Sequence, residues 1–467
     1  MTELRSFKLI DWVLWLLVLA AAAGARVWYV TEFLGKDAAA PDAVWHVQEL
    51  PHPSGTAADL LVAKMNDAGV LPGFAGKPPF AAKEEKTAFW SPGYPMLRSL
   101  LEKNLQNYAG DKPTPQAAVH GLVRWVQIGL SSLAAALYFA VARRAFHSRL
   151  IGLLAGLLCA VNPFWVINAA ELQDGALASF LLAASLALGV RAGQQGGPLT
   201  SLLYGVALAA LSLTRSAFLP FAVAGLLWYF LRSRTLKGGW LGAIVALLGF
   251  AGGVAPWIVR NHQEMHDVIP VVDSAGWDLW IGNNPQATGG PLSEKMENQW
   301  SDERKRQLAD MPEGKRYLQL LEDVKREVTE SPTDTIKRRL AAFAYFFLSA
   351  SAADGKGAMV AEGSQTPPPW ADEALYGTLL ATVVLGLLGW RWSYGWRVQS
   401  MPLSLALIWI PLPYILGHAE LLHGPRLPLD GPLMCLVAMA VVCLIPGLGM
   451  PWLKGEEELN PEGDRTV

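Results

Sequence analysis

The stretch that decides the fold reads WLGAIVALLGFAGGVAPWIVRN at residues 240–261 and GWDLWIGNNP at residues 276–285. Its first part is an apolar run long enough to cross a bilayer as a helix. Trp257 suits a membrane–water interface, and Arg260 follows at headgroup depth, where a guanidinium binds phosphate with two hydrogen bonds. The Gly-Asn-Asn-Pro sequence is typical of a turn. These residues predict a transmembrane helix that delivers a cation and a structured turn to one membrane face, although an interfacial anchor followed by an ordinary loop fits them too.

The composition is that of a membrane protein. Of the 467 residues, 52% are hydrophobic and only 17% are charged, whereas an average soluble domain is about 25% charged. The net charge of −2 excludes a generally basic nucleic-acid-binding protein, so we expect no nucleic-acid partner. The three cysteines lie in apolar runs and form neither a disulfide framework nor a metal-binding pattern.

Long uncharged runs predict about ten membrane spans. The short junctions on one side are basic, which places them and the N-terminus in the cytoplasm by the positive-inside rule. Residues 340–349 are too short to span, so we expect an interfacial or re-entrant helix there, or an eleventh span if they cross. The ten spans are residues 9–30, 119–142, 150–164, 175–190, 199–213, 218–231, 240–259, 375–390, 403–416 and 427–445.

These spans predict an all-α polytopic protein of the cytoplasmic (inner) membrane, with two large extracytoplasmic loops that carry juxtamembrane helices. In the second loop, residues 297–330 are charged and periodic, which predicts soluble helix. The expected parts are the first span (1–30), the first extracytoplasmic loop (31–118), spans two to seven (119–259), the second large extracytoplasmic loop (260–339), the interfacial helix with the last spans (340–448) and a cytoplasmic tail (449–467).

Charged residues are scarce inside the spans. Asp11 and Arg26 flank the centre of the first span, and we expect both to snorkel toward an interface. Most other charges map to the outer helix ends and outer loops. The chemistry is therefore expected on the extracytoplasmic face.

Three arginines at separate outer helix ends, Arg215, Arg260 and Arg426, predict a phosphate-binding mouth. A nearby carboxylate, such as Glu171 or Asp174, could act as a general base toward a hydroxyl group. Together they suit transfer of a group from a lipid phosphate to an alcohol. The competing interpretation is that each charge is a solvated loop residue. For Asp174, which starts a span, helix N-capping is the alternative.

The histidines give a weak metal signal. His262 and His266 stand four residues apart beside Glu264, and could hold a metal if this segment is helical. No third ligand is close in sequence. A divalent metal is therefore possible but has no further support, and no cofactor is certain from the sequence.

Several short motifs resemble those of the GT-C integral-membrane glycosyltransferases. The chain is similar to the bacterial relatives of the dolichyl-phosphate-mannose protein mannosyltransferases and of the lipid A aminoarabinose transferases. The resemblance covers residues 9 to about 448 in order, and the stretch from residue 256 to residue 290 is its most specific part. The other matching motifs are SPGYP at residues 91–95, ELQD at 171–174, Thr214-Arg215 and RLPL at 426–429.

The resemblance implies an inverting transferase with a GT-C fold. A sugar on a polyprenyl phosphate is attacked by a hydroxyl acceptor on a protein, lipid or glycan. An aspartate of the first outer loop acts as the base, and basic residues hold the departing lipid phosphate. Carried onto this sequence, the base is Asp42 or, alternatively, Asp59. The implied substrate-binding residues are Tyr94, Asn261 and Asn283.

The sequence departs from the family pattern in two places. The Asp-Glu pair that normally follows the first span is absent. Asp42 lies at about the right distance from that span, whereas Asp59 lies near the start of the amphipathic run at residues 57–65, which resembles the helix that follows in the family. Gly424 and Pro425 replace an Arg-Tyr pair before the last span. Either departure indicates a different donor or a catalytically silent member.

Two other classes compete with the transferase. A transporter or lipid flippase normally carries charged or broken-helix elements at the bilayer midplane, and here the span centres are almost free of charge. A silent GT-C-like scaffold would bind a partner through its outer loops and lack a lipid-sized groove.

Overall fold

The structure is a computed structural model of the whole chain. It describes residues 7–33, 75–76, 78–81, 85–110, 116–236, 239–348, 370–419 and 424–445. Asp42, Asp59 and the amphipathic run at residues 57–65 lie outside the described residues.

The described residues are almost entirely helical. The first half contains α1 (Leu9–Trp28), α2 (Gly93–Ala109), α3 (Gln116–Ala145), α4 (Arg149–Val161), α5 (Pro163–Asn168), α6 (Gly175–Gln195), α7 (Pro198–Thr214), α8 (Leu219–Ser233) and α9 (Trp240–Met265). The second half contains α10 (Ala275–Gly282), α11 (Glu294–Glu297), α12 (Asp302–Asp310), α13 (Glu313–Glu330), α14 (Pro332–Leu348), α15 (Trp370–Trp392), α16 (Arg397–Trp409), α17 (Pro411–Leu416) and α18 (Leu427–Leu444). One short antiparallel pair joins β1 (Ala75–Gly76) to β2 (Glu85–Lys86).

The membrane-spanning architecture is confirmed. Within the described part of the chain, seven helical segments are long and apolar enough to cross a membrane. One of them, Leu375–Leu416, is 42 residues long and contains two of the predicted spans. Two further predicted spans are the shorter apolar helices Arg149–Val161 and Pro198–Thr214. Helix α18 is the central one, because 83% of its apolar window is buried inside the bundle.

Helix α9 does not end where its apolar run ends. Pro256 lies inside it, and the helix continues to Met265, where His266 adopts a left-handed conformation with φ 57°. The helix therefore extends beyond the predicted span of residues 240–259. One further helical turn carries Arg260 into contact with the residues above the bundle.

Asp11 and Arg26 are fully buried and do not snorkel, which corrects the expectation for the first span. The Asp11 carboxylate accepts hydrogen bonds from Arg143 at 2.8 Å and from Arg149 at 2.7 Å. Arg26 donates to Ser131 Oγ at 2.8 Å and to backbone carbonyls. Partners inside the bundle replace the water that snorkelling would otherwise provide.

Helix α2, helices α10 to α13 and the residues that connect α10 to α13 form a cap over one end of the bundle. Its core is aromatic: the rings of Trp280 and Trp300 stack with centroids 4.0 Å apart, and Trp277 stacks on Trp280 at 5.5 Å. Gly276 is required here, because a Cβ atom would collide with the carbonyl oxygen of Tyr317. The soluble helix predicted over residues 297–330 is divided into α12 and α13, since Pro312 cannot continue the first of them.

Candidate functional site

A cavity of about 490 Å³ lies between the cap and the end of the bundle. Apolar side chains from both parts form most of its wall, including Trp90, Phe164, Val271 and Leu416. The turn before α6 and the end of α7 contribute charged side chains to the wall, and Ser274, Asp278 and His418 add further polar groups. The cavity therefore suits an amphipathic ligand with a long apolar part and a compact polar part.

An ion pair between Arg215 and Asp174 forms the polar end of the cavity. Arg215 donates from Nη2 to Asp174 Oδ1 at 2.6 Å and from Nε to Oδ2 at 2.9 Å. Its Nη1 donates to the carbonyls of Gly424 and Pro425, both at 3.2 Å. Burial alone would lower the pKa of Arg215, but Asp174 and Tyr414 outweigh it and raise the pKa above its ordinary value. The guanidinium is thus charged and fixed in direction.

Asp174 occupies the N-cap position of α6, yet its side chain makes no capping hydrogen bond. Both carboxylate oxygens accept from Arg215 instead. The N-capping alternative is therefore wrong for this side chain. The pair joins the start of α6 to the end of α7 at the cavity wall.

Glu171 is the second carboxyl group of the same turn that lines the cavity. Its Oε2 accepts a hydrogen bond from Asn168 Nδ2 at 2.9 Å. Removal from water raises the pKa of Glu171 to about 7, although the Asn168 hydrogen bond acts in the opposite direction. A carboxyl group that titrates near neutral pH can take up or release a proton during a reaction.

The SPGYP motif starts a helix. Pro92 precedes α2, which begins at Gly93, and a Cβ atom on Gly93 would lie only 2.6 Å from Thr214 Oγ1. This close approach brings Tyr94 to the cavity wall, where its hydroxyl donates to Gln127 Oε1 at 3.3 Å. The structure therefore places Tyr94, Glu171, Asp174 and Arg215 around one cavity.

Arg260 and Arg426 are not among the residues that line the cavity. Arg260 donates to the carbonyl of Thr87 at 2.8 Å and packs 4.9 Å from the ring centroid of Trp257. Arg426 is buried and pairs with Asp430 at 2.7 Å. Of the three arginines expected to share one mouth, the structure brings only Arg215 to this cavity. A role of Arg260 and Arg426 in binding phosphate stays a prediction.

Asn261 and Asn283 hold backbone in place. Asn261 is fully buried and donates to the carbonyl of Ile269 at 3.0 Å. Asn283 donates to the carbonyls of Leu279 at 2.7 Å and Leu416 at 3.0 Å. Neither lines the cavity. Their contact with substrate stays a prediction.

Sequence reasoning missed Asp278, His418 and Tyr414, which also line the cavity. Asp278 lies inside the GWDLWIGNNP stretch and accepts a hydrogen bond from Ser274 Oγ at 3.2 Å. Because Asp278 is the only acidic residue of that stretch, the stretch itself could have pointed to it. Nothing in the local pattern points to His418 or Tyr414, since both reach the cavity only through the packing of α17 against the cap.

In the described ranges, no group of three or more His, Cys, Asp or Glu side chains is arranged to hold a metal ion. His262 and His266 are exposed near the end of α9. Glu264, between them, pairs with Lys86. These contacts add no metal ligand to the histidine pair.

Comparison with solved structures identifies the fold. An archaeal oligosaccharyltransferase, AglB from Archaeoglobus fulgidus in complex with an inhibitory peptide and a dolichol-phosphate, matches with a TM-score of 0.51 and 12% sequence identity, over 93% of this chain and 51% of that chain. The oligosaccharyltransferase of the same organism, tethered with an acceptor peptide containing the NVT sequon, matches with a TM-score of 0.50 and 12% identity, over 95% of this chain and 52% of that chain.

These matches define the class as an all-α polytopic membrane protein with a GT-C-like fold. The chain spans about half the length of the oligosaccharyltransferases that it matches. At this level of identity the likeness concerns the fold. No protein-family model and no curated protein matches the sequence, and the closer resemblance to bacterial mannosyl and aminoarabinose transferases stays a prediction.

Proposed function

We propose that this protein is an inverting glycosyltransferase that moves a hexosyl or pentosyl group from a polyprenyl-phosphate donor to a hydroxyl acceptor on the extracytoplasmic face. The observation that carries the proposal is the fixed Arg215 guanidinium at the polar end of a largely apolar cavity. The GT-C-like fold supports the same class of reaction.

The donor matches the two ends of the cavity. A polyprenyl chain is apolar and enters from the bilayer, whereas its phosphodiester is a compact anion. The apolar wall from Phe164, Leu219 and Leu412 favours the chain. Arg215, which is only 13% exposed at its side chain, is the cation nearest to such a phosphate, and a phosphate bound there shares the guanidinium with Asp174.

In the proposed reaction, the acceptor oxygen attacks the anomeric carbon from the side opposite the phosphate. The new glycosidic bond forms as the bond to phosphate breaks, so the configuration inverts. The phosphate leaves with its lipid and carries the electron pair of the broken bond. Arg215 stabilises the charge that develops there.

The acceptor hydroxyl must lose its proton, and a carboxylate is the expected base. The family resemblance implies Asp42, with Asp59 as the alternative. Glu171 is a further candidate for the same proton, because it lines the cavity and its pKa is raised to about 7. We assign Asp174 to holding Arg215, since both of its oxygens are engaged in that pair.

The acceptor class is open among proteins, lipids and glycans. The archaeal neighbours were solved with an inhibitory peptide and with an acceptor peptide, which supports including peptides among the acceptors to be tested. The cytoplasmic (inner) membrane and the extracytoplasmic position of the site rest on the basic junctions of the sequence.

The test is incubation of the purified protein in lipid nanodiscs with polyprenyl phosphate that carries a radiolabelled hexose, pentose or aminopentose. Peptide, lipid and glycan acceptors are offered in parallel, and heat-denatured protein is the control. We expect label to move from lipid to one acceptor class. Movement of intact donor between leaflets of proteoliposomes, without transfer to any acceptor, would favour a flippase instead.

A further inference from the structure

Gln127 lies on α3 and is fully buried. Its Nε2 donates to the carbonyl of Glu171 at 2.7 Å and to the carbonyl of Gln173 at 2.9 Å. Its Oε1 accepts from the hydroxyl of Tyr94 at 3.3 Å. A primary amide has two N–H donors, and here both are used on one turn.

The turn in question is residues 169–174, between α5 and α6, and we refer to it as the acidic turn. Irregular backbone next to an apolar region needs internal donors for its carbonyl groups, because water is scarce there. Besides Gln127, Arg124 Nε donates to the carbonyl of Ala170 at 3.0 Å. Glu171 and Asp174 face the cavity from this turn, so their positions depend on these donors.

We propose that Gln127 is a positioning residue that sets the acidic turn against Tyr94, and so fixes Glu171 and Asp174 relative to the cavity. Gln127 does not itself line the cavity, and it acts through the backbone of the turn. This inference rests on the proposed glycosyltransferase function. It adds a residue that neither the sequence motifs nor the fold comparison single out.

The inference has two measurable consequences. Gln127→Met keeps the length of the side chain and removes both donors, so the turn loosens. Glu171 then meets more water, which lowers its pKa from about 7 toward the ordinary glutamate value. A small displacement of groups around a reacting centre lowers kcat by about tenfold or more, whereas donor binding through the apolar wall should keep KM within about threefold.

The experiment compares Gln127→Met with Gln194→Met in the full-length protein. Gln194 is a matched control because its Nε2 donates to the carbonyl of Arg144 at 2.9 Å, remote from the cavity at the other end of α6. Three readouts are taken for each variant: kcat and KM for the labelled polyprenyl-phosphate sugar, the pH midpoint of the rate, and hydrogen exchange of the amides of residues 169–174. Should Gln127→Met fail to fold, Gln127→Asn, which keeps a buried amide but shortens it, replaces it.

We expect the Gln127 variant to lose at least about tenfold in kcat, to shift the pH midpoint downward, and to exchange faster only in the acidic turn. The Gln194 variant should resemble the wild type. Equal behaviour of the two variants in kinetics and in exchange would overturn the positioning role. If the wild type transfers no sugar, the proposed function fails separately, and unchanged exchange in the acidic turn would then also reject the role of Gln127.

Discussion

Arg215 and Asp174 face each other through two hydrogen bonds of 2.6 and 2.9 Å, and this pair joins the end of α7 to the start of α6. The two residues are 41 positions apart in sequence. Their pairing brings a fixed cation to a cavity that is otherwise mostly apolar. The proposed donor-phosphate site depends on this arrangement.

Arg215→Lys should weaken the donor site. A lysine keeps the charge but cannot make the two parallel bonds to Asp174 together with the bonds to the carbonyls of Gly424 and Pro425. We expect kcat/KM for the polyprenyl-phosphate sugar to fall by at least about tenfold. Arg232→Lys is the control, because Arg232 donates to the carbonyl of Gly193 at 2.9 Å far from the cavity. Equal kinetics for the two variants would show that Arg215 does not bind the donor.

Glu171→Gln should abolish the rise of the transfer rate, the limb of the pH profile, near neutral pH. Because the pKa of Glu171 is raised to about 7, its carboxylate form grows as the pH passes through neutrality, and the wild-type rate should rise there. The variant should be slower by about tenfold or more at about pH 8 and should not show this limb. The measurement is the transfer rate against pH, with the exposed Glu322→Gln as the control. A limb that persists in Glu171→Gln would assign it to another group.

Asp42→Asn and Asp59→Asn test the base that the family resemblance implies. We expect one of the two to lose transfer by a factor of at least about 100 while retaining the thermal stability of the wild type. Asp67→Asn, from the same predicted loop, is the control. Full activity in both Asp42→Asn and Asp59→Asn would remove the base assignment and leave Glu171 as the candidate.

Much of the fold follows from hydropathy alone. The number of consecutive apolar residues indicates which segments can cross a bilayer as a helix, and the ten predicted spans all contain helix. Helix α9 continues past Pro256 and past the predicted end of the span at residue 259, and this has a physical cause. A proline removes one backbone hydrogen bond but does not end a helix whose next turns are held by tertiary contacts, such as that of Trp257 Nε1 with the carbonyl of Val271 at 2.7 Å.

The site was only partly predictable. Short outer turns with charges single out Glu171, Asp174 and Arg215, and the structure places all three around one cavity. Arg260 and Arg426 carry the same local signal, yet packing gives them buried partners. Sequence shows that a cation lies near a helix end, whereas the direction of its side chain depends on which partner it meets. For Arg260 this is the carbonyl of Thr87, 173 positions away, and for Arg426 it is Asp430 in the next helical turn.

Arg260→Met should therefore lower stability and leave donor binding intact. The variant loses a charge-assisted hydrogen bond to the Thr87 carbonyl and the contact with Trp257, a loss of about 1.5–3 kcal/mol. We expect a lower melting temperature with a donor KM within about twofold of the wild type. An unchanged melting temperature with a strongly raised KM would restore Arg260 as a phosphate ligand.

Asp273 and Glu313 should make the cap less stable at higher pH. Glu313 accepts hydrogen bonds from Ala88 N at 2.7 Å and Thr87 Oγ1 at 2.6 Å, and burial raises the pKa of both carboxyl groups, with Glu313 raising that of Asp273 further. The neighbouring Arg316 pairs with Glu85 at 2.8 Å. Because the folded state holds protons that the unfolded state releases above about pH 4, stability falls as the pH rises.

Asp273→Asn should reduce this loss. Asparagine keeps the shape of the side chain and carries no charge, so we expect a higher melting temperature than the wild type at about pH 8 and a smaller difference at about pH 5. Thermal unfolding of the variant and the wild type at both pH values measures this difference in melting temperature. The exposed Asp334→Asn serves as the control. A lower melting temperature for Asp273→Asn at about pH 8 would contradict the buried carboxyl pair.

The most direct measurement is an experimental structure of the protein with bound polyprenyl phosphate in a lipid nanodisc. The proposal predicts the phosphate within hydrogen-bonding distance of the Arg215 guanidinium, with the first isoprene units along the apolar wall formed by Phe164 and Leu412. A phosphate bound at Arg260 or elsewhere, with the cavity beside Arg215 free of lipid, would contradict it.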